Sequence, residues 1–321
     1  MLTRCKGIIF AVFLGLICPA IIMSMLYEKN PKPITDIPEI TGGTVKTDAE
    51  PLCVSVLMQD AEIRTMGLND YLVCVLLREM PASFELEALK AQAVVARTYT
   101  LRRHELTGKH TGAAVCTNSD CCQGYYDIEE YMSNGGSPES VQKIQQAVSM
   151  TDGLVLRYEG DLIDATYFSC SGGMTEDAKA VWGREIPYLQ STQSPGEENA
   201  AHYLDTVTFS VKDFLALLDI NEVSMAQIGD IRYTEGGGVD SISVCGKQFK
   251  GTQFRQILGL RSTAFVISVV GDTVTVTTKG FGHRVGMSQY GADAMAVGGS
   301  TFAEILAHYY KGTQLVTYNG N

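Results

Sequence analysis

A glutamate occupies a position where a helical apolar stripe calls for another hydrophobic residue. Residues 67–79 predict a helix whose apolar side carries Leu68, Tyr71, Leu72, Val75 and Leu76. The next position on that side is Glu79, which we therefore expect to face the interior or a cleft. Burial and the negative end of the helix dipole both raise the pKa of a carboxyl group, and a raised pKa suits a general acid. Alternatively, the helix end frays, and Glu79 turns to solvent or pairs with Arg78 or Lys90.

Two basic residues share one face of the helix predicted over about residues 83–104. Lys90 and Arg97 are seven residues apart, a spacing that places them two turns apart on the same side. In one interpretation they form a positive strip beside Glu79 that holds a polar or anionic substrate. In the other, their aliphatic stems cover apolar surface while the charged ends reach water.

One histidine and three cysteines crowd into 13 residues, as His110, Cys116, Cys121 and Cys122. This donor set matches structural zinc sites, which take four protein ligands in a tetrahedron. Such a site has no open coordination position, so the ion would stabilise the loop and would not activate water. A disulfide between Cys116 and either Cys121 or Cys122 is the alternative, because the chain is predicted to be exported. The residues alone leave both possibilities open.

The segment CSGG at residues 170–173 suggests a nucleophile, since a cysteine and a serine stand side by side. Either side chain would need a base within hydrogen-bond reach, and the sequence does not bring His202 or His283 near it. We therefore favour a turn that shapes a groove.

The elements that must position these residues begin after an apolar N-terminal segment. Arg4 and Lys6 precede an uncharged run of 20 residues, 7–26, which as a helix measures roughly 30 Å, the thickness of a bilayer core. Residues 1–27 therefore predict a transmembrane anchor with a cytoplasmic N-terminus and an exported remainder in a single-pass arrangement at the cell membrane. A cleaved signal peptide is the alternative. Residues 28–50 are rich in proline, glycine and polar residues and predict a flexible tether.

The remainder, residues 51–321, predicts one exported domain with a possible subdomain over residues 196–260. Helical patterns alternate with hairpin patterns such as FVISVVGDTVTVTTKG at residues 265–280, and the sequence shows no repeated strand-helix-strand (βαβ) pattern. This mixture indicates an α+β fold of helices packed with antiparallel hairpins. The net charge of −11 argues against nucleic acid as the main partner.

Four blocks of the sequence resemble the stage II sporulation protein D family. They are REMPASFELEALKAQAVVARTYT (78–100), YFSCSGGMTEDAKAVWG (167–183), IPYLQSTQSP (186–195) and GFGHRVGMSQYGADAMA (280–296). The resemblance implies a membrane-anchored lytic transglycosylase, which cuts peptidoglycan glycan between N-acetylmuramic acid and N-acetylglucosamine and leaves 1,6-anhydro ends. Glu79 would protonate the leaving oxygen and then take the proton of the sugar 6-hydroxyl. The resemblance also favours zinc over a disulfide in residues 110–124, which we call the cysteine loop.

Further site residues follow from the same resemblance. The resemblance implies that Lys90, Arg97 and Tyr188 bind the glycan. Glycine lets the backbone approach a ligand closely, so the glycine-rich segments themselves suggest a second set that hydrogen-bonds sugar hydroxyl or acetamido groups, namely Ser171, Gly172, His283, Ser288 and Gln289. Alternatively, the segment around His283 is a tight turn that supports the helix at the end of the chain. Arg284 departs from the glycine usual in the family after this histidine. It either blocks close backbone approach or adds a contact to a lactyl carboxylate. Trp182, the single tryptophan, either stacks on a sugar or packs in the core.

The biological role implied by the resemblance is wall remodelling during engulfment of the forespore. The expected partners are glycan strands stripped of stem peptides, a cell-wall amidase and membrane proteins of the engulfment machinery. The main alternative is a non-catalytic glycan-binding modifier that stimulates an N-acetylmuramoyl-L-alanine amidase. A further alternative is a zinc hydrolase built on the cysteine loop, which the four protein ligands disfavour because they leave no coordination position for water.

Overall fold

The computed structural model describes residues 52–106, 109–221 and 225–319. The anchor predicted over residues 1–27 and the tether predicted over residues 28–50 lie outside the described residues, so both stay predictions. Within the described ranges, no helix combines the length and the apolar character needed to cross a bilayer.

Helices and short sheets alternate along the described chain. The helices are α1 (Leu68–Glu79), α2 (Leu86–Glu105), α3 (Ile128–Ser133), α4 (Pro138–Met150), α5 (Ala178–Trp182), α6 (Val211–Leu217), α7 (Gly251–Ile257), α8 (Gln289–Val297) and α9 (Phe302–Tyr309). The strands are β1 (Cys53–Leu57), β2 (Ile63–Gly67), β3 (Val115–Cys116), β4 (Leu154–Tyr158), β5 (Asp161–Leu162), β6 (Tyr167–Phe168), β7 (Leu204–Ser210), β8 (Ile228–Tyr233), β9 (Val239–Val244), β10 (Lys247–Lys250), β11 (Phe265–Val270), β12 (Thr273–Lys279), β13 (Met287–Ser288) and β14 (Gln314–Thr317).

The strand pairings confirm the predicted α+β class. The sheets have the orders β2-β1-β3, β10-β9-β8, β11-β12-β7, β13-β6 and β14-β4-β5. Most pairs are antiparallel, and the two parallel pairs, β1 with β3 and β6 with β13, are only two residues long. The hairpin predicted over residues 265–280 forms as β11 and β12, which Gly271 and Asp272 connect. Gly271 has a φ of 58°, a left-handed conformation that glycine adopts without strain.

Helix α2 runs through the larger hydrophobic core, and no side of its middle faces solvent. Every side chain from Ala88 to Leu101 is buried. Alanines at four of these positions let neighbouring elements approach closely, and the hydroxyls of Thr98 and Thr100 donate to carbonyls four residues earlier. The helix is therefore not amphipathic, and its two basic residues Lys90 and Arg97 are buried with the rest.

A second, smaller core lies between the sheets β11-β12-β7 and β10-β9-β8 and the helices α6 and α7. Its buried aromatic residues include Phe214, Phe249, Phe254 and Phe265, whose rings contact one another. The buried residues of this core extend from Val211 to Val276, beyond the predicted subdomain limit at residue 260. The division into subdomains itself stays a prediction.

Candidate active site

An open groove with a volume of about 1330 Å³ contains the C-terminal end of α1. The cysteine loop, the segment around β6, the end of α5, helix α7 and the turn before α8 also line it. From the residues predicted for catalysis and sugar binding, the structure brings together Glu79, His283 and Gln289. Cys121 and Cys122 lie in the same groove.

The Glu79 carboxyl is half-buried at the end of α1. Its Oε1 accepts a hydrogen bond of 2.5 Å from the backbone N–H of Gly124. Burial raises the pKa of Glu79 above its ordinary value, and the Gly124 N–H, the Tyr167 hydroxyl, Arg78 and the Gln289 amide oppose this shift. The direction is the one that apolar periodicity predicts, and it keeps the proton on the carboxyl to higher pH.

Gly124 leaves no room for a side chain between the cysteine loop and α1. A Cβ on this residue would lie 2.5 Å from Arg78 Cγ and 2.9 Å from Glu79 Oε1. Glycine therefore allows the loop backbone to reach the carboxyl directly. The position of the cysteine loop consequently sets the hydrogen bond that Glu79 receives.

The predicted zinc ligands converge within that loop. The nitrogen and sulfur atoms of His110, Cys116, Cys121 and Cys122 lie within 4.8 Å of one another. The His110 Nε2 is 3.3 Å from Cys122 Sγ and 3.6 Å from Cys121 Sγ. A tetrahedral zinc ion with bonds of about 2.3 Å to sulfur and about 2.0 Å to nitrogen holds such atoms roughly 3.5 Å apart. The donor set and its spacing thus fit zinc, and the three cysteines are not in disulfides in this structure.

His283 forms part of the groove wall. Its Nδ1 accepts a hydrogen bond of 3.1 Å from the backbone of Val285, so the neutral ring carries its proton on Nε2. The ring centre is 5.5 Å from that of Trp182 and 5.6 Å from that of Phe168. Burial, with the positive charge of Arg255, lowers the pKa of His283 to about 4. The imidazole is therefore neutral at physiological pH and is not a cationic ligand for substrate.

The prediction of a positive strip formed by Lys90 and Arg97 beside Glu79 is wrong. Arg97 is 1% exposed, and its guanidinium donates to the carbonyl oxygens of Val148, Thr151 and Leu154 around the end of α4. Lys90 pairs with Glu87 at 2.6 Å and lies over the Phe302 ring. Because the middle of α2 is buried on all sides, Lys90 contacts Glu87 and Phe302, Arg97 contacts the end of α4, and neither cation lines the groove.

Ser171, Gly172 and Tyr188 also have partners inside the protein. The carboxylate of Glu197 accepts hydrogen bonds from the Ser171 hydroxyl at 2.8 Å and from the backbone N–H groups of Ser171 and Gly172. The Tyr188 hydroxyl accepts from the backbone of Asp164 at 3.0 Å. The predicted contacts of these residues with sugar are therefore corrected, since each of these polar groups already has a partner inside the protein and none lines the groove. Ser288 likewise donates to Glu197, at 2.6 Å.

The structure shows what Arg284 does at a position where the resemblance leads one to expect glycine. Its φ is 66°, in the left-handed region where glycine is usual, and its side chain is 2% exposed. The guanidinium donates to the carbonyl oxygens of Ser171, Met174 and Gly236, and it pairs with Glu176 at 3.2 Å. Arg284 thus joins structural segments and does not face the groove.

Sequence reasoning placed none of the four groove arginines there, missed Phe281, and left the role of Trp182 open. Trp182 is 42% exposed and Phe281 is 38% exposed, and both rings line the groove. The cations are Arg78, Arg103, Arg184 and Arg255. The sequence suggested Arg78 only as an ion-pair partner of Glu79, and no sequence signal indicates Arg255, which lies on α7.

The fold and the site define an α+β, groove-bearing protein with a desolvated carboxyl beside a candidate zinc centre. The family model described as stage II sporulation protein matches residues 59–158. The stage II sporulation protein D of Bacillus amyloliquefaciens is 37% identical over 295 residues, 90% of this chain and 86% of that protein. That of Bacillus subtilis (strain 168) is 38% identical over 280 residues, 85% and 81% of the two chains. The chain belongs to the stage II sporulation protein D family, and this membership assigns it to sporulation.

A further relative carries a different name. The amidase enhancer of Bacillus subtilis (strain 168) is 30% identical over 299 residues, which cover 76% of this chain and 40% of that protein.

Proposed function

We propose that this protein is a lytic transglycosylase that cleaves peptidoglycan glycan strands during sporulation. The single observation that carries the proposal is the Glu79 carboxyl, whose burial in the groove raises its pKa. The substrate is glycan from which stem peptides have been removed, cut between N-acetylmuramic acid and N-acetylglucosamine.

One carboxyl group serves both halves of this reaction. Glu79 donates its proton to the glycosidic oxygen as the bond from that oxygen to C1 breaks. The resulting carboxylate then takes the proton of the muramic acid 6-hydroxyl, whose oxygen bonds to C1 and closes the 1,6-anhydro ring. No water is consumed, so a second catalytic carboxylate of the kind that hydrolytic glycosidases use is not required.

The groove supplies surfaces suited to sugars on either side of this chemistry. Trp182 and Phe281 expose aromatic faces on which pyranose rings can stack, and Gln289 offers an amide next to Glu79. Asp164 lines the groove too, but Arg103 at 3.5 Å and Arg184 at 3.9 Å engage its oxygens. These contacts make Asp164 a part of the wall in our proposal and leave proton transfer to Glu79.

We also propose a structural zinc ion bound by His110, Cys116, Cys121 and Cys122. The ion would fix the loop whose Gly124 N–H reaches Glu79. It takes no part in the proton transfers.

The substitution Glu79→Gln tests the catalytic proposal. Glutamine keeps an oxygen that can accept from Gly124 but cannot donate a carboxylic proton, so release of anhydro-ended fragments from stripped glycan should fall at least 1000-fold, about 4 kcal/mol of barrier. Mass spectrometry of the glycan ends measures this release. Glu62→Gln, which changes an exposed carboxyl outside the groove, is the matched control and should cleave normally. Cleavage by Glu79→Gln at the wild-type rate would contradict the assignment.

The relative named amidase enhancer supports a second candidate, a non-catalytic modifier that stimulates a cell-wall amidase. In that case the wild-type chain would release no anhydro ends but would accelerate amide cleavage by the amidase.

The remaining proposals concern location and partners. They are a single-pass anchor with a cytoplasmic N-terminus, an exported domain, and contact with an amidase and membrane proteins of engulfment.

A further inference from the structure

Arg255, on the helix α7 that packs on the second core, places in the groove a positive charge that pairs with no acid among the described residues. It lies on α7, is half-buried, and lines the same groove as Glu79. Its Nε donates to the Leu260 carbonyl at 3.2 Å. Among the described residues, its guanidinium takes part in no ion pair.

The surroundings make this charge costly without a ligand. Burial lowers the pKa of the Arg255 guanidinium, a sign that the charged form has lost hydration. The same charge is close enough to lower the pKa of His283, which stands against Trp182 in the groove wall. A desolvated cation without a counter-charge is unfavourable, and a carboxylate supplies both the charge and two acceptors for the guanidinium fork.

The other groove arginines differ from Arg255 in their partners. Arg103 and Arg184 face Asp164, and Arg78 is exposed beside Glu79. The chain as a whole carries a net charge of −11, so a groove lined by four arginines and by only three acids, Glu79, Asp120 and Asp164, is a local exception. Arg255 is the one of these four arginines that is half-buried and pairs with no acid among the described residues.

We propose that Arg255 binds the free lactyl carboxylate of a peptide-stripped N-acetylmuramic acid and thereby selects stripped glycan. This inference rests on the proposed function, because it assumes a muramic acid in the groove. A stem peptide converts the lactyl carboxyl into an uncharged amide. The guanidinium then loses its ion pair while it remains desolvated, so binding weakens.

Binding to two matched glycans tests this selection. The full-length chain with Glu79→Gln, which should bind without cutting, is titrated calorimetrically with stripped glycan oligosaccharides and with the same oligosaccharides after their lactyl carboxyls are converted to methylamides. We expect the free acid to bind about tenfold more tightly, the range of a hydrogen-bonded ion pair. Added Arg255→Gln should bring this ratio close to one, and Arg232→Gln, which removes an exposed arginine outside the groove, should leave it unchanged.

Two further measurements keep the test decisive. Arg255→Lys preserves the charge but not the fork, and it should keep part of the preference even if the glutamine variant does not fold. Equal binding of the two glycans by the parent, or a preference that survives Arg255→Gln, would overturn the inference, as would a folded lysine variant without any preference. Failure of the proposed function is a separate result, since it appears as wild-type protein that releases no anhydro ends although its binding depends on lactyl charge.

Discussion

At the scale of single residues, the decisive balance is the one at the Glu79 carboxyl. Burial favours its neutral form, while the hydrogen bond from Gly124 and the contacts with Tyr167, Arg78 and Gln289 favour its charged form. Burial prevails, so the folded-state pKa lies above that of an unfolded chain. A group of this kind contributes stability below its unfolded pKa and loses that contribution as the pH rises through the folded pKa.

This sign predicts how Glu79→Gln changes stability with pH. Relative to wild type, the glutamine variant should gain stability from pH 5 to pH 8, by about 1.4 kcal/mol for each unit by which the pKa of Glu79 is raised. Thermal unfolding of both proteins across this range measures the gap. Glu62→Gln should show no such trend, and a gap that stays constant with pH would contradict a raised pKa.

At the scale of elements, the cysteine loop and α1 act as one unit. The loop contributes four convergent ligand atoms and, a few residues later, the Gly124 N–H that bonds Glu79. Since no Cβ fits at Gly124, the backbone there lies directly against the side chains of Arg78 and Glu79 at the end of α1. A change that loosens the loop should therefore disturb the hydrogen bond to the proposed catalytic carboxyl even when Glu79 itself is unchanged.

Loss of one of the proposed zinc ligands should therefore reduce both zinc content and the proposed activity. Cys116→Ser is expected to lower zinc below one ion per chain, to reduce the melting temperature, and to slow release of anhydro ends. Elemental analysis, thermal unfolding and fragment analysis measure the three effects. Cys245→Ser, a change outside the cluster, serves as control. Full zinc content in Cys116→Ser would argue against the proposed ligand set.

At the scale of the whole molecule, Arg284 connects distant segments. Its guanidinium reaches the carbonyls of Ser171 and Met174, the carbonyl of Gly236 and the carboxylate of Glu176. Glu176 in turn accepts from the Gly238 backbone. One buried side chain thus ties the CSGG segment to the glycine-rich turn before β9. These bonds offset the left-handed backbone that arginine adopts at this position.

Removal of this connection should be strongly destabilising. Arg284→Ala leaves the Glu176 charge buried without its partner, and we expect a loss of about 3–5 kcal/mol in the free energy of unfolding. Arg284→Gly relieves the left-handed strain and should cost less than alanine, yet it should remain less stable than wild type. Arg184→Ala, which removes an exposed cation 3.9 Å from Asp164, should change stability by no more than ~1 kcal/mol. Urea unfolding measures all three, and equal losses for Arg184→Ala and Arg284→Ala would contradict this account.

The sequence alone determined the features that depend on near neighbours in the chain. Apolar spacing predicted the helix that ends at Glu79 and the inward direction of its carboxyl, and alternation predicted the hairpin of β11 and β12. Residue types singled out four side chains of the cysteine loop as candidate metal donors, and the structure brings these four together. These signals are local because a helix or strand sets the side on which each residue lies.

Only the tertiary structure decided what each inward side chain meets. Periodicity gave Lys90 and Arg97 a shared face but could not show that other elements cover that face, and it could not show that Glu197 binds Ser171 and Gly172. Arg255 enters the groove through packing of the second core, about 175 residues along the chain from Glu79. Such contacts depend on how whole elements pack against one another, and local spacing in the chain carries no record of that packing.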